Sequence, residues 1–325
     1  GAGLATANPV TLTGAPWTIN WKTASKDANG IAYTFSVDET TVPQNYEKTV
    51  NNTSYTITNK YVSPVVEKVG KKIWNKGNLL RVPIEVTLYR TTTPGDPTTY
   101  VAVAGTELRT ITGSACEMTN PVTLTPSTAL APDTYEQESK WCVDETDHDG
   151  SPYTYIVRET SAEVQGFTKV ENGLTVTNTF ASPTQPVKGT ITWIGGPDTK
   201  PGVTITLQRT VPGGAPETVV PNVPMNGITE MEWPGLPTHD EQGRPYTYTI
   251  HNDNPVPQFN VTENGLTITY RYQVPVENKV GRKTWVNGNI LKGEVKLAIF
   301  RRLAGTADEF IQLNSADLLT NGANA

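Results

Sequence analysis

Alternation of apolar and polar residues with a period of two is the dominant pattern along this chain. In SPYTYIVRET (Ser151–Thr160) and IAYTFSVDET (Ile31–Thr40), every second position is aromatic or β-branched: Tyr153, Tyr155 and Val157 in one, Tyr33, Phe35 and Val37 in the other. Such rows share one face of an extended strand. Three further alternating segments end alike, TITNKYVSP (Thr56–Pro64), TVTNTFASP (Thr175–Pro183) and TITYRYQVP (Thr267–Pro275), each a strand running into a short linker that contains Pro. Helical periodicity is convincing nowhere. The boundaries therefore fall near residues 64, 183 and 275. They predict a C-terminal half module at 1–64, a complete module at 65–183, a shorter complete module at 184–275 and an N-terminal half module at 276–325. Modules of this size made of short alternating strands read as antiparallel β-sandwiches, so the predicted fold class is all-β.

Internal repetition identifies the halves. Gly281–Arg301 (GRKTWVNGNILKGEVKLAIFR) aligns without a gap on Gly70–Arg90 (GKKIWNKGNLLRVPIEVTLYR), and NPVTLT occurs identically at Asn8–Thr13 and Asn120–Thr125. Repetition at this period marks an array of similar units. Here the repeat is cut inside a unit, leaving one sandwich divided between the two chain ends. The short Pro-stiffened linkers favour a rod over a flexible string.

Composition narrows the function classes. With 27 Gly and 25 Pro in 325 residues the chain suits turns and short strands, and no apolar run is long enough for a membrane span. The net charge of -6, with no basic stripe, argues against nucleic acid as a partner. No signal peptide is present in the sequence, which reads as either a mature fragment or a cytosolic protein. Cys116 and Cys142 lie in one module without a CxxC partner or a nearby His pair, so no metal site is expected, and no cofactor site either. His148, His239 and His251 are scattered over turn-like or strand segments and read as surface groups. The run Asp144, Glu145, Asp147, Asp149 lacks the DxDxDG spacing of a calcium loop and reads as a solvated turn.

Strand alternation aims three polar residues into what should be an apolar core. Lys72 shares a face with Trp74, Glu159 continues the inward row of Tyr153, Tyr155 and Val157, and Asn178 lies between Val176 and Phe180. Burying these three is costly unless they meet. The same set recurs across the split module: Lys283 before Trp285, Glu39 after Val37, and Asn59 between Ile57 and Tyr61. The shorter module has lost all three together, with Ile191, Asn252 and Tyr270 in their places. A buried Lys–Glu ion pair hydrogen-bonded to Asn is the plainer explanation. The joint loss favours a set that works as a set.

The K-x-W opening strand, the Y-T-x-x-V-x-E strand and the closing T-x-T-N-x-aromatic strand resemble the Cna protein B-type (CnaB) immunoglobulin-like domains of Gram-positive surface proteins and pilins. The resemblance covers essentially the whole chain and is weakest over 184–275. It implies that the first and last strands of a module lie side by side, and that a lysine and an asparagine form a spontaneous isopeptide bond assisted by an acidic residue. Carried onto this sequence, it implies Lys72 joined to Asn178 with Glu159 assisting, and Lys283 joined to Asn59 with Glu39 assisting. It also implies an extracellular location on a bacterial surface or cell wall, where Cys116 and Cys142, flanking the NPVTLT segment, are expected to pair as a disulfide.

Two readings of function follow. In the first, the chain is a structural stalk or filament subunit whose partner is itself, the C-terminal half of one copy completing the N-terminal half of the next, head to tail. In the second it is an adhesin that uses the modules as scaffold for a host or matrix ligand. The longest loop candidate, Thr91–Asn120, is mostly Thr, Gly, Ala and Pro, which reads as connection rather than ligand contact. No nucleophile and base pairing or metal set appears, so an enzyme is not expected. No LPxTG-like sorting signal or pilin lysine motif is present in the sequence, which sets it apart from sortase-built pilins.

Overall fold

The computed structural model describes residue 5 and residues 7–288, 290 and 292–318. The outermost residues of the 1–64 and 276–325 segments lie outside the described residues. In the first segment a hairpin forms from β1 (Tyr46–Asn51) and β2 (Thr56–Tyr61), with Lys48 opposite Asn59.

Residues 65–183 fold as a sandwich of β3 (Val65–Asn75), β4 (Ile84–Thr91), β5 (Val101–Ala102), β6 (Val122–Leu124), β7 (Thr134–Asp144), β8 (Thr154–Glu159), β9 (Phe167–Asn172) and β10 (Thr175–Phe180). One sheet has the order β7-β3-β10-β9, and in the other β4 pairs with β5, β6 and β8. The first and last strands, β3 and β10, run parallel side by side. Between the sheets lie Trp74, Leu88, Trp141 and Val176, all fully buried. The Trp141 ring lies against Gly70, where an added Cβ would come within 2.7 Å of ring carbon Cζ3. Only a residue without a side chain allows that approach.

The Thr91–Asn120 stretch is more ordered than its composition suggests. It carries β5 and a 3-10 turn at Gly105–Glu107, and it sends Val103 and Leu108 into the core. Cys116 and Cys142 are joined as a disulfide with Cα atoms 5.7 Å apart, tying the end of this stretch to β7.

Residues 184–275 repeat the plan with β11 (Thr184–Ile194), β12 (Thr204–Thr210), β13 (Glu217–Pro224), β14 (Glu230–Pro237), β15 (Thr247–Asn252), β16 (Phe259–Asn264) and β17 (Thr267–Tyr272). The sheets are β14-β11-β17-β16 and β13-β12-β15, again with first and last strands parallel. Trp233 covers Gly189 as Trp141 covers Gly70.

The two end segments reproduce local features of the complete module. In the last, β18 (Phe300–Arg301) pairs with β19 (Ile311–Gln312) in the register that β4 and β5 use: Arg301 faces Ile311 as Arg90 faces Val101. Arg301 bonds Asp317 at 2.8 Å beside the 3-10 turn Ser315–Asp317, matching the Arg90–Glu107 pair. Asn287 and Gly288 have positive φ, as Lys76 and Gly77 do. In the first segment Asp27 Oδ1 accepts from the amides of Asn29 and Ile31, the turn that Asp147 makes with Asp149 and Ser151. Many large apolar residues of these segments are exposed, including Tyr33 and Phe35 in one and Trp285, Leu297 and Ile299 in the other.

Candidate functional site: a buried lysine, glutamate and asparagine

The site of the complete module is built by register. On the parallel pair β3–β10, Lys72 stands opposite Val176 and Trp74 opposite Asn178, so Lys72 and Asn178 occupy the same inward face one diagonal step apart. Glu159, the last residue of β8, enters from the facing sheet, opposite Val86 of β4. Lys72 is 0% exposed, Asn178 1% and Glu159 5%.

The three side chains touch. Lys72 Nζ donates to Glu159 Oε2 at 2.9 Å, and Asn178 Nδ2 donates to the same oxygen at 3.0 Å and to Oε1 at 3.4 Å. One carboxyl group thus holds the amine and the amide together. Lys72 Nζ also lies 4.6 Å from the centre of the Trp74 ring, a wall that excludes water. Asn178 Oδ1 is buried without a hydrogen-bond partner, which leaves the amide carbonyl open to a donor. Burial pushes the Lys72 amine below the ordinary lysine range, against the opposing pull of Glu159.

In the 1–64 segment the structure brings Asn59 and Glu39 together, with Asn59 Nδ2 donating to Glu39 Oε1 at 3.0 Å. Glu39 Oε2 and Asn59 Oδ1 are both inaccessible and without partners. In the complete module one oxygen, Glu159 Oε2, accepts from both Lys72 and Asn178. Lys283 lies over Trp285 at 4.8 Å, the arrangement of Lys72 over Trp74.

The shorter module fills the same three places with ordinary core. Ile191 pairs across to Ile268 and Trp193 to Tyr270, while Asn252 stands opposite Ile205. Tyr270 stacks on Trp193 at 4.4 Å and its hydroxyl donates to Asn252 Oδ1 at 2.8 Å. Every polar group of the trio has been replaced or satisfied without a charge.

Two residues beside the site escape the alternation pattern. Glu171 Oε1 accepts from the Glu159 amide at 2.9 Å, and Lys169 Nζ donates to the Glu159 carbonyl at 3.3 Å. Both lie on β9, whose exposure runs nearly unbroken, so the only signal for them is their register against β10. The acidic turn is occupied with itself: Asp147, His148 and Asp149 lie close together, yet Asp147 Oδ1 holds two backbone amides. Among the described residues no helix is long and apolar enough to cross a membrane.

Residues 3–60 and 187–271 match the Cna protein B-type domain, and the first of these stretches carries Glu39 and Asn59. The chain is 30% identical over 179 residues to the collagen adhesin of Staphylococcus aureus, a match that covers 48% of this chain and 14% of the adhesin. Among solved structures it is similar to two B repeat units of the Staphylococcus aureus collagen binding protein, at 22% identity over 71% of this chain and 55% of that one, with a TM-score of 0.37. A major pilin of Streptococcus pyogenes is similar at 12% identity over 64% of this chain and 99% of that one, with a TM-score of 0.29.

Proposed function

Because this chain carries Cna protein B-type domains, we propose that it is a structural stalk or filament segment of a Gram-positive cell surface, stabilised by Lys–Asn isopeptide bonds that it forms by itself. The observation that carries the reading is the contact of Lys72, Glu159 and Asn178 inside one dry core, set against their joint replacement in the shorter module.

The residue types suit the chemistry. An amine attacks only when neutral, and burial favours that form. Transfer of a proton from the Lys72 ammonium to Glu159 leaves a neutral amine beside a carboxylic acid. Once the Asn178 amide, which presents Nδ2 to Glu159, turns its Oδ1 toward the acid, the acid donates to that carbonyl and raises its electrophilicity. The bond from Lys72 Nζ to Asn178 Cγ forms, the Cγ–Nδ2 bond breaks, and ammonia leaves with protons relayed from the lysine through Glu159. The chain changes itself once, so this is maturation and not turnover of a substrate.

The split module extends the same chemistry between copies. In the complete module β3 lies between β7 and β10, and β4 between β8 and its other neighbours. The strands corresponding to β3 and β4 come from residues 276–325, and those corresponding to β7, β8 and β10 from residues 1–64. Each half therefore lacks the strands that the other supplies. We infer that the second half of one copy completes the first half of the next, with Lys283 bonded to Asn59 of that neighbour, whether the neighbour is a separate chain or the next period of a longer polypeptide.

Intact mass tests the first bond: each one removes ammonia, about 17 Da. Glu159→Ala and Asn178→Ala should both retain that mass, and a native chain at full mass would sink the reading. Denaturing electrophoresis tests the second. A ladder in steps of the 35.3 kDa chain, lost in Lys283→Ala, supports joining of separate chains, and a single very large species from natural material supports a continuous polypeptide. The match to the collagen adhesin favours a second reading, in which these modules are the scaffold of an adhesin. Saturable binding of immobilised collagen by the full chain would establish it.

A further inference from the structure

The strand beside the reacting asparagine carries a lysine wherever the set is present. Lys169 on β9 stands opposite Asn178, and Lys48 on β1 stands opposite Asn59. Both make the same contact: Lys169 Nζ donates to the main-chain carbonyl of Glu159 at 3.3 Å, and Lys48 Nζ to that of Glu39 at 2.9 Å. The carboxylates that balance them differ. Lys169 has Glu171 of its own strand at 3.6 Å, and Lys48 has Asp38 at 2.6 Å. What the two sites share is therefore the carbonyl of the assisting glutamate and not a particular ion pair.

In the shorter module the residue opposite Tyr270 is Val261, half-buried against the core. The lysine is lost together with the other three. Its neighbour behaves differently. Glu171, which holds the Glu159 amide, is matched by Glu263 holding the Asn252 amide at 2.7 Å in the module without the set, and by Val50 in the split module that has it. Of the two charged positions on this strand, only the lysine follows the chemistry.

Glu159 ends its strand, and the ladder holds its peptide plane from one side only, through Thr160 N donating to Glu85 O at 2.9 Å. A cation fastened to its carbonyl fixes that plane, and with it the direction in which the carboxyl enters the core. The groups facing Lys72 are Glu159 from β8 and Lys169 and Glu171 from β9. The charge of Lys169 adds to burial in disfavouring a second ammonium at Lys72, while Glu159 and Glu171 act in the opposite sense.

We propose that Lys169, and Lys48 in the split module, is the fourth member of the cross-linking set, a positioning residue that anchors the backbone of the assisting glutamate. It rests on the bond-forming reading above.

The test follows bond formation in the full chain, recovered unfolded in urea directly after cell-free synthesis and refolded by dilution across a series of pH values. The Lys72–Asn178 peptide is read by mass after digestion. Lys169→Met should slow the bond about tenfold, equivalent to about 1.4 kcal/mol in the barrier, and move the rising limb of the rate profile to higher pH. Lys169→Arg should restore most of the rate. The side chain is 34% exposed on an edge strand, so these variants keep the core, and Lys169→Gln gives the same comparison if the Met variant is insoluble. A Met variant that reacts at the native rate overturns the proposal. So does a slow one with an unshifted profile and no rescue by Arg, which marks a merely structural residue. A native chain that never loses ammonia overturns the bond-forming reading instead.

Discussion

A buried lysine is tolerated only where something receives its charge, and the two complete modules supply the comparison within one chain. At Lys72 the receiver is Glu159; at the matching position the shorter module places Ile191, with Asn252 and Tyr270 hydrogen-bonded to each other. Ile191→Lys alone should therefore bury an unpaired ammonium and lower the unfolding free energy by about 3–5 kcal/mol, measured by chemical denaturation. Adding Asn252→Glu and Tyr270→Asn should recover part of the loss and remove a further ammonia from the mass. A lone Ile191→Lys variant as stable as the parent would show that this pocket is wetter than its burial implies. The three buried residues were legible in the sequence because each interrupts an apolar row of period two, at Trp74, Val157 and Val176. Lys169 was not. On an edge strand exposed on both faces the pattern does not specify register, so nothing in FTKVEN marks the residue that will lie opposite Asn178.

Among the elements, the parallel pairing of first and last strands sets the geometry of both sandwiches, and a glycine sets how closely the sheet can be covered. The Trp141 and Trp233 rings lie where the Cβ of residue 70 or 189 would be, at 2.7 Å and 3.0 Å. Gly70 also has Val157 Cγ2 within 2.9 Å of that point, while the corresponding contact of Gly189, Ile250 Cδ1, is at 3.3 Å. Gly70→Ala should then cost about 1–3 kcal/mol from overpacking and Gly189→Ala less, compared in an Asn178→Ala background so that the cross-link does not mask unfolding. Equal effects would mean that the rings move aside freely. Strand positions and inward faces within residues 65–183 and 184–275 followed from alternation, while the repeats supplied the module plan as an expectation. The order of strands within each sheet did not follow, because it depends on contacts between residues about a hundred positions apart. The Thr91–Asn120 stretch was read as spacing for a similar reason: Leu108 is a single apolar residue and Val103 lies in the short run YVAVA, which has no apolar–polar alternation, and only the folded chain shows that both reach the core.

At the scale of the whole molecule, the chain alternates units that differ in closure. Joining Lys72 to Asn178 encloses a loop of roughly 100 residues and stabilises its sandwich by about 4–5 kcal/mol on the chain-entropy model. The disulfide, with its separation of 26 residues, is worth about 3.5 kcal/mol on the same model. Nothing comparable closes the shorter module. The parallel arrangement of β3 and β10 gives this difference a mechanical meaning. A pull on the two ends of the module enters at the start of β3 and leaves at the end of β10, in opposite directions along adjacent strands, so the ladder between them is sheared along its length. Once a covalent bond joins the two strands, force passes from one to the other through it, and the chain between Lys72 and Asn178 never feels tension. The shorter module, with the same strands side by side and no bond, is left as the yielding link. Single-molecule extension of a cross-linked array should show one kind of unfolding event, its length set by residues 184–275 at roughly 3.3–3.6 Å per residue. If the proposed cross-links form, a sudden load on such an array is expected to lengthen it at fixed, renewable points without breaking it.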